Sequence, residues 1–167
     1  KPDSTVTAGI KWTMPCTYRY LSSPYGYRIH PVYGTYKFHS GVDLASPSGT
    51  PIKATRAGTV TKTSYDSGSG YYVSINHGDG FSSSYLHMTH YIVAPGDKVS
   101  QGQVIGYVGS TGWSTGPHLH FSIYFNGVAQ NPAAYMNFKQ LSHSPFWAVG
   151  KLLRGVILET VFELSFG

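Results

Sequence analysis

Alternation of apolar and polar side chains dominates the middle of the chain. It recurs in short runs: PIKAT (51–55), GTVTKTSY (58–65), GYYVSINH (70–77), FSSSYLHM (81–88), QVIGYV (103–108) and HLHFSIYF (118–125). Runs of this length and period are those of half-buried strands. Asp79-Gly80 and Asn126-Gly127 supply the turn chemistry of tight hairpins, so neighbouring runs are expected to pair antiparallel. The pattern predicts an all-β fold with a mainly antiparallel sheet. From Tyr20 to Pro31, Pro, Gly and Ser interrupt short aromatic stretches, which predicts loop with at most one brief strand. Residues 1–19 show no sustained period and read as a loop-rich approach segment.

After Met136 the pattern changes. Val149, Leu152, Leu153, Val156, Val161 and Leu164 approximate helical spacing, while Lys151, Arg154, Glu159 and Glu163 interrupt the apolar character. A bilayer span needs about 20 apolar residues, so the 137–167 tail is not expected to cross a membrane. A docking helix, an interfacial helix and an unordered tail all fit the pattern.

Length and composition narrow the picture. The 167 residues suit one domain, expected over residues 20–136, with appended ends. Twelve Lys and Arg against seven Asp and Glu give +5, which favours anionic surroundings. The basic residues are scattered without a run or a recognition motif, so nucleic acid is not expected as a partner. A single cysteine, Cys16, excludes an internal disulfide and reads as an incidental thiol; any metal must be held by histidine and carboxylate. The chain begins at Lys1 with no signal region and reads as a processed piece whose targeting segment is missing.

Histidine and aspartate placement then suggests chemistry. In HLHFSIYF, His118, His120, Ser122 and Tyr124 share one strand face while Leu119, Phe121, Ile123 and Phe125 share the other. In FHSGVDLASP, His39 and Asp43 stand four apart, which in an extended chain turns both the same way. Imidazole and carboxylate together suit a borderline divalent ion, and zinc fits best. Catalytic zinc sites use three protein ligands, so one of these four residues has another task. His87 is expected on one face with Phe81, Ser83 and Tyr85, aimed at the same site. His77, His90 and His143 default to structural or surface positions.

HSGVDLA, YLHM and GPHLHF, in this order, with GTPIKATRAGTV after the first and GDKVSQGQVIGYVGSTG before the third, resemble the lysostaphin or LytM-type zinc endopeptidases of bacterial cell walls. The resemblance runs from about Ser22 to Met136. It implies a barrel-sandwich hybrid with a duplicated hybrid motif and one Zn2+ per chain, held by His39, Asp43 and His120. His118 and His87 match the catalytic pair. It further implies hydrolysis of peptidoglycan stem or cross-bridge peptides outside the cytoplasm; a monomer is expected, and the +5 charge is compatible with retention on anionic wall polymers. Tyr33 and Tyr36, in the loop before His39, and Arg28, in the YGYRIHP framework motif with His30, are the candidate substrate-binding or bracing residues. No Glu adjoins the ligands, so His118 is expected to act as general base with His87 assisting. Some relatives have lost ligands and only activate other wall enzymes or bind the wall; that alternative is disfavoured by the complete set here. The APGDKVSQGQVIGYVG stretch also resembles biotinyl and lipoyl carrier domains, but the modified lysine is not apparent.

Overall fold

Strands carry the described part of the chain, residues 11–29 and 35–138 of a computed structural model, and every strand pair is antiparallel. They are β1 (Tyr20–Ser23), β2 (Gly26–Ile29), β3 (Tyr36–His39), β4 (Val42–Ala45), β5 (Pro51–Lys53) and β6 (Gly58–Asp66), then β7 (Gly70–Gly78), β8 (Phe81–Tyr91), β9 (Lys98–Val99), β10 (Val104–Val108), β11 (His118–Phe125) and β12 (Val128–Gln130). One 3-10 turn, Pro132–Ala134, follows, capped by the Asn131 side chain on the Ala133 amide. Ten strands form one sheet in the order β1-β4-β11-β8-β7-β6-β9, with β12 on β11 and with β10 joining β8 to β5. β2 and β3 form a separate hairpin.

The six alternating runs emerge as β5, β6, β7, β8, β10 and β11, and the mainly antiparallel all-β expectation matches the structure. Residues 20–29 hold two strands instead of one brief one. β1 finds its partner, β4, about twenty residues on, and β2 pairs with the next strand, β3. His39 and Asp43 also do not share a strand: β3 ends at His39 and β4 begins at Val42. The chain breaks step at Gly41, whose backbone lies against β11; a Cβ there would stand 2.3 Å from the Phe121 carbonyl oxygen and 2.5 Å from Ser122 Oγ. The segment before Tyr20 has no strand, yet Trp12 and Cys16 belong to the core, and Thr13 and Pro15 bond to the backbone of Thr55 and Lys53. The helix expected in the tail, together with Tyr33, His30 and His143, lies outside the described residues. Among the described residues no helix is long and apolar enough to cross a membrane.

β11 sits at the middle of the sheet, between β4 and β8, and separates two environments. Leu119, Phe121 and Ile123 are fully buried, and register sets Tyr85 opposite Phe121 and Ser83 opposite Ile123 on the same apolar side. Each such aliphatic or aromatic burial contributes about 1.5–3 kcal/mol, which fixes the side to which β11 turns its even-numbered residues. The apolar side also contains a polar chain. His77 donates from Nδ1 to the Ala57 carbonyl (3.0 Å), and its Nε2 is hydrogen-bonded to Ser83 Oγ (2.7 Å). Ser83 Oγ is hydrogen-bonded in turn to Tyr85 (3.0 Å), which receives the Thr55 amide at 2.9 Å.

Burial, helped by the charge of Arg56 and opposed by the Ala57 carbonyl, pushes the His77 pKa down from 6.5 to about 4. The folded chain therefore binds fewer protons than the unfolded one between these values, and stability rises with pH across that window. Thermal unfolding should shift to lower temperature as pH falls from 6.5 to about 4. His77→Gln should flatten this dependence by at most about 3 kcal/mol; an equal slope in both proteins would remove His77 as its source.

Candidate metal centre

Asp43 and His120 are direct partners across the β4–β11 ladder, so their side chains leave adjacent strands on the same polar side. His39 reaches them from the end of β3. Its Nδ1 lies 2.8 Å from the Pro24 carbonyl. A carbonyl only accepts, so Nδ1 carries the proton and Nε2 turns a lone pair inward. His39 Nε2, Asp43 Oδ1 and His120 Nδ1 form a triangle with sides of 3.1, 2.9 and 3.0 Å. Ser122 Oγ holds the far nitrogen of His120 at 2.9 Å, which leaves Nδ1 for the cluster.

A single proton on His120 Nδ1 does not satisfy both the carboxylate and the His39 lone pair, whereas a cation does. Ligand atoms around a tetrahedral zinc, with bonds of about 2.0–2.1 Å, stand about 3.3 Å apart, so donor chemistry and spacing both fit such an ion. Among the described residues this is the group of His, Cys, Asp and Glu side chains able to hold a metal. Burial opposes the charge of Asp43, but its contacts with His120 and His39 outweigh burial and hold its carboxyl well below the usual carboxylate range. Burial pushes His120 downward against the pull of Asp43. Arg28 donates to the second carboxylate oxygen, Oδ2, at 3.4 Å, leaving Oδ1 to the cluster.

Two further histidines flank the triangle. His118 donates from Nδ1 to the Gly116 carbonyl (2.8 Å), and its Nε2 lies 3.8 Å from Asp43 Oδ1. His87 donates from Nδ1 to the Thr111 carbonyl (2.8 Å), with its ring 4.7 Å from that of His118. Both carbonyls belong to the loop between β10 and β11, and both Nε2 atoms are left as the basic ones. Burial, together with the charges of His118 and His120, pushes the His87 pKa down to about 4 against the pull of the Thr111 carbonyl.

His87 arrives by a route that alternation misses. Phe81, Ser83 and Tyr85 face the apolar side, where regular continuation of β8 would also send residue 87. Instead the β7–β8 register slips between Tyr85 and Met88, and His87 adopts a left-handed backbone with φ 63°. Such bulges re-aim side chains beside active sites. The His87 amide donates to the Ser69 carbonyl (2.9 Å), and Gly109 packs so closely that a Cβ there would stand 2.9 Å from the His87 carbonyl.

The cluster opens into a groove of about 330 Å³ lined by, among others, Arg28, Lys37, His87, Trp113, Thr115 and His118. A more open hollow of about 540 Å³, over His77 and Lys98, shares no residue with it. Tyr36 stacks on Tyr27 (5.4 Å, 10°) and does not line the groove; His90 is exposed against Tyr107. Sequence reasoning did not single out Lys37 or Trp113. Lys37 is readable in hindsight from its alternation with His39, and Trp113 as a large aromatic in the Gly-Ser-Thr-rich stretch GSTGWSTG.

Comparison with known proteins gives this arrangement a lineage. The chain is 44% identical over 120 residues to the DD-carboxypeptidase/endopeptidase Mpg of Neisseria meningitidis, an alignment covering 72% of this chain and 28% of that one. The chain thus spans under a third of that relative's length. A crystal structure described as a zinc containing peptidase from Vibrio cholerae superposes with a TM-score of 0.68 and 32% identity, covering 79% of this chain and 41% of that one. The catalytic domain of the antimicrobial peptidase lysostaphin from Staphylococcus simulans gives 0.59 and 35%, covering 72% and 91%. The profile of Peptidase family M23 matches residues 37–132, a span that contains His39, Asp43, His87, His118 and His120, and the chain belongs to this family.

Proposed function

We propose that the chain is a zinc-dependent endopeptidase that hydrolyses peptide bonds in bacterial peptidoglycan outside the cytoplasm. The observation that carries this reading is the triangle of His39 Nε2, Asp43 Oδ1 and His120 Nδ1, no side longer than 3.1 Å, beside two histidines whose Nδ1 atoms are each held by a main-chain carbonyl. The activities for which the peptidase relatives are named support the reaction class, and the +5 charge suits retention on an anionic wall polymer.

In this reading His39, Asp43 and His120 hold one zinc ion. Zinc in such a site supplies a Lewis acid for the scissile carbonyl and makes water acidic near pH of about 7. His118 Nε2 takes the proton of the attacking water, and the Gly116 carbonyl, already bonded to Nδ1, stabilises the resulting imidazolium. His87, kept neutral by burial, accepts from the water's other hydrogen and orients it. His118 then passes its proton to the leaving amine. Arg28 keeps Asp43 Oδ2 occupied, so that Oδ1 alone faces the cluster.

Digestion of purified peptidoglycans followed by mass analysis should show new amine and carboxyl ends, lost with chelator and restored by zinc. Wall binding without new ends, zinc being present, would instead assign a silent activating or wall-binding module. His118→Ala should keep about one zinc per chain and lose on the order of 10²–10⁴ in kcat; full hydrolysis by this variant would remove His118 as the base. His87→Asn should lower activity without lowering the thermal midpoint, because Asn tolerates the left-handed backbone. A marked drop in midpoint would show that His87 serves the fold.

A further inference from the structure

His87 stands in a bulge, and the backbone on both sides of it is tied from outside β8. Its own amide is bonded to the Ser69 carbonyl, in the turn between β6 and β7. Asp66 shapes that turn, its Oδ1 accepting the Gly68 and Ser69 amides at 2.9 and 2.7 Å. The next carbonyl along β8, that of Met88, accepts from the Thr111 hydroxyl at 2.6 Å. The same hydroxyl oxygen accepts the Tyr71 amide at 3.0 Å. Tyr71 and Met88 are partners in the β7–β8 register, so the hydroxyl bridges the two strands at the edge of the stretch where their pairing slips. Two glycines make this approach possible. A Cβ on Gly70 would run into Thr111 Oγ1, one on Gly112 would run into the Gly70 amide nitrogen, and both glycines hold a left-handed backbone.

We infer that Thr111 is a positioning residue for His87 and acts on it through two atoms at once. The inference rests on the peptidase reading, in which His87 orients the attacking water. The Thr111 carbonyl takes the proton of His87 Nδ1 at 2.8 Å, which sets the tautomer of the ring. The Thr111 hydroxyl holds the Met88 peptide, and with it the backbone from which that ring departs. Carbonyl and ring therefore keep their spacing, because the loop that accepts the proton is fastened to the strand that carries the ring. The branched Cβ of threonine restricts χ1, so the direction of the hydroxyl also constrains the direction of its own main chain. Every residue type offers the carbonyl, but only a hydroxyl of this reach accepts an amide and donates to a carbonyl from one atom. A ring set in both tautomer and place presents one basic nitrogen at a constant position, and loss of that placement lowers rate more than binding.

The test uses the full chain loaded with zinc, together with its Thr111→Val and Thr111→Ser variants. Nitrogen NMR shifts of the histidine rings report the tautomer independently of activity, and His87 of the wild type should show a protonated Nδ1 and a bare Nε2. Thr111→Val keeps the branched shape without the hydroxyl. It should move the His87 shifts toward a mixture of tautomers and lower kcat on peptidoglycan about tenfold, with KM nearly unchanged. Thr111→Ser restores the hydroxyl and should keep the wild-type shifts, with kcat within about twofold. Unchanged His87 shifts in Thr111→Val overturn the inference, as does a folded Thr111→Ser that loses as much kcat as Thr111→Val. A Thr111→Val chain that fails to fold beside an intact Thr111→Ser also overturns it, since the hydroxyl would then serve the fold alone. A wild type that cuts no peptidoglycan overturns the peptidase reading, while the nitrogen shifts still decide whether Thr111 positions the ring.

Discussion

Three atoms able to ligate a cation lie within 3.1 Å of one another, and the β4–β11 ladder holds two of the three where they cannot separate. Asp43 and His120 face each other in register, and β11 cannot rotate away because Leu119, Phe121 and Ile123 are buried on its other side. His39 is pinned by the Pro24 carbonyl. The apolar core thus does more than stabilise the sheet. It holds three atoms able to ligate one cation at spacings that they would not keep if free to move.

The surrounding groups refine this. Hydrogen bonds at the far atoms, Ser122 on His120 and Arg28 on Asp43, leave one atom of each residue facing the cluster. Outer partners of this kind orient ligands and tune their basicity. Gly41 ties the turn between β3 and β4 to the backbone of β11 at a distance that admits no side chain. The segments that carry Asp43 and His120 are thereby tied to one another and to the turn after His39.

Much of this was legible in the residues and some was not. The central strands could be read from alternation because their apolar face is continuous, and the pairing of His118 with His120 followed from the same period. The relation of His39 to Asp43 could not: a four-residue spacing looks like one strand, whereas the close approach of Gly41 to β11 divides it into two. His87 is legible as a residue of the site, but its route there is not, for a related reason. Face parity along β8 sends it into the core, and only the slipped register and left-handed backbone return it to the polar side. The anchors of His39, His87 and His118 are main-chain carbonyls of Pro24, Thr111 and Gly116, and every residue type offers a carbonyl, so composition carries no trace of them. Lys37 and Arg28 are adjacent only because β2 pairs with β3.

The loop between β10 and β11 has a consequence that its sequence of small polar residues does not suggest. Its carbonyls at Thr111 and Gly116 hold the protons of both flanking histidines, its Gly109 backs the bulge that presents one of them, and Trp113 is bonded through its amide to the Gly68 carbonyl. The two flanking histidines are thus coupled through a single stretch of backbone. Substitutions along it would not add to histidine replacements as independent losses do, and this loop is the place where drift in one site carries the other with it.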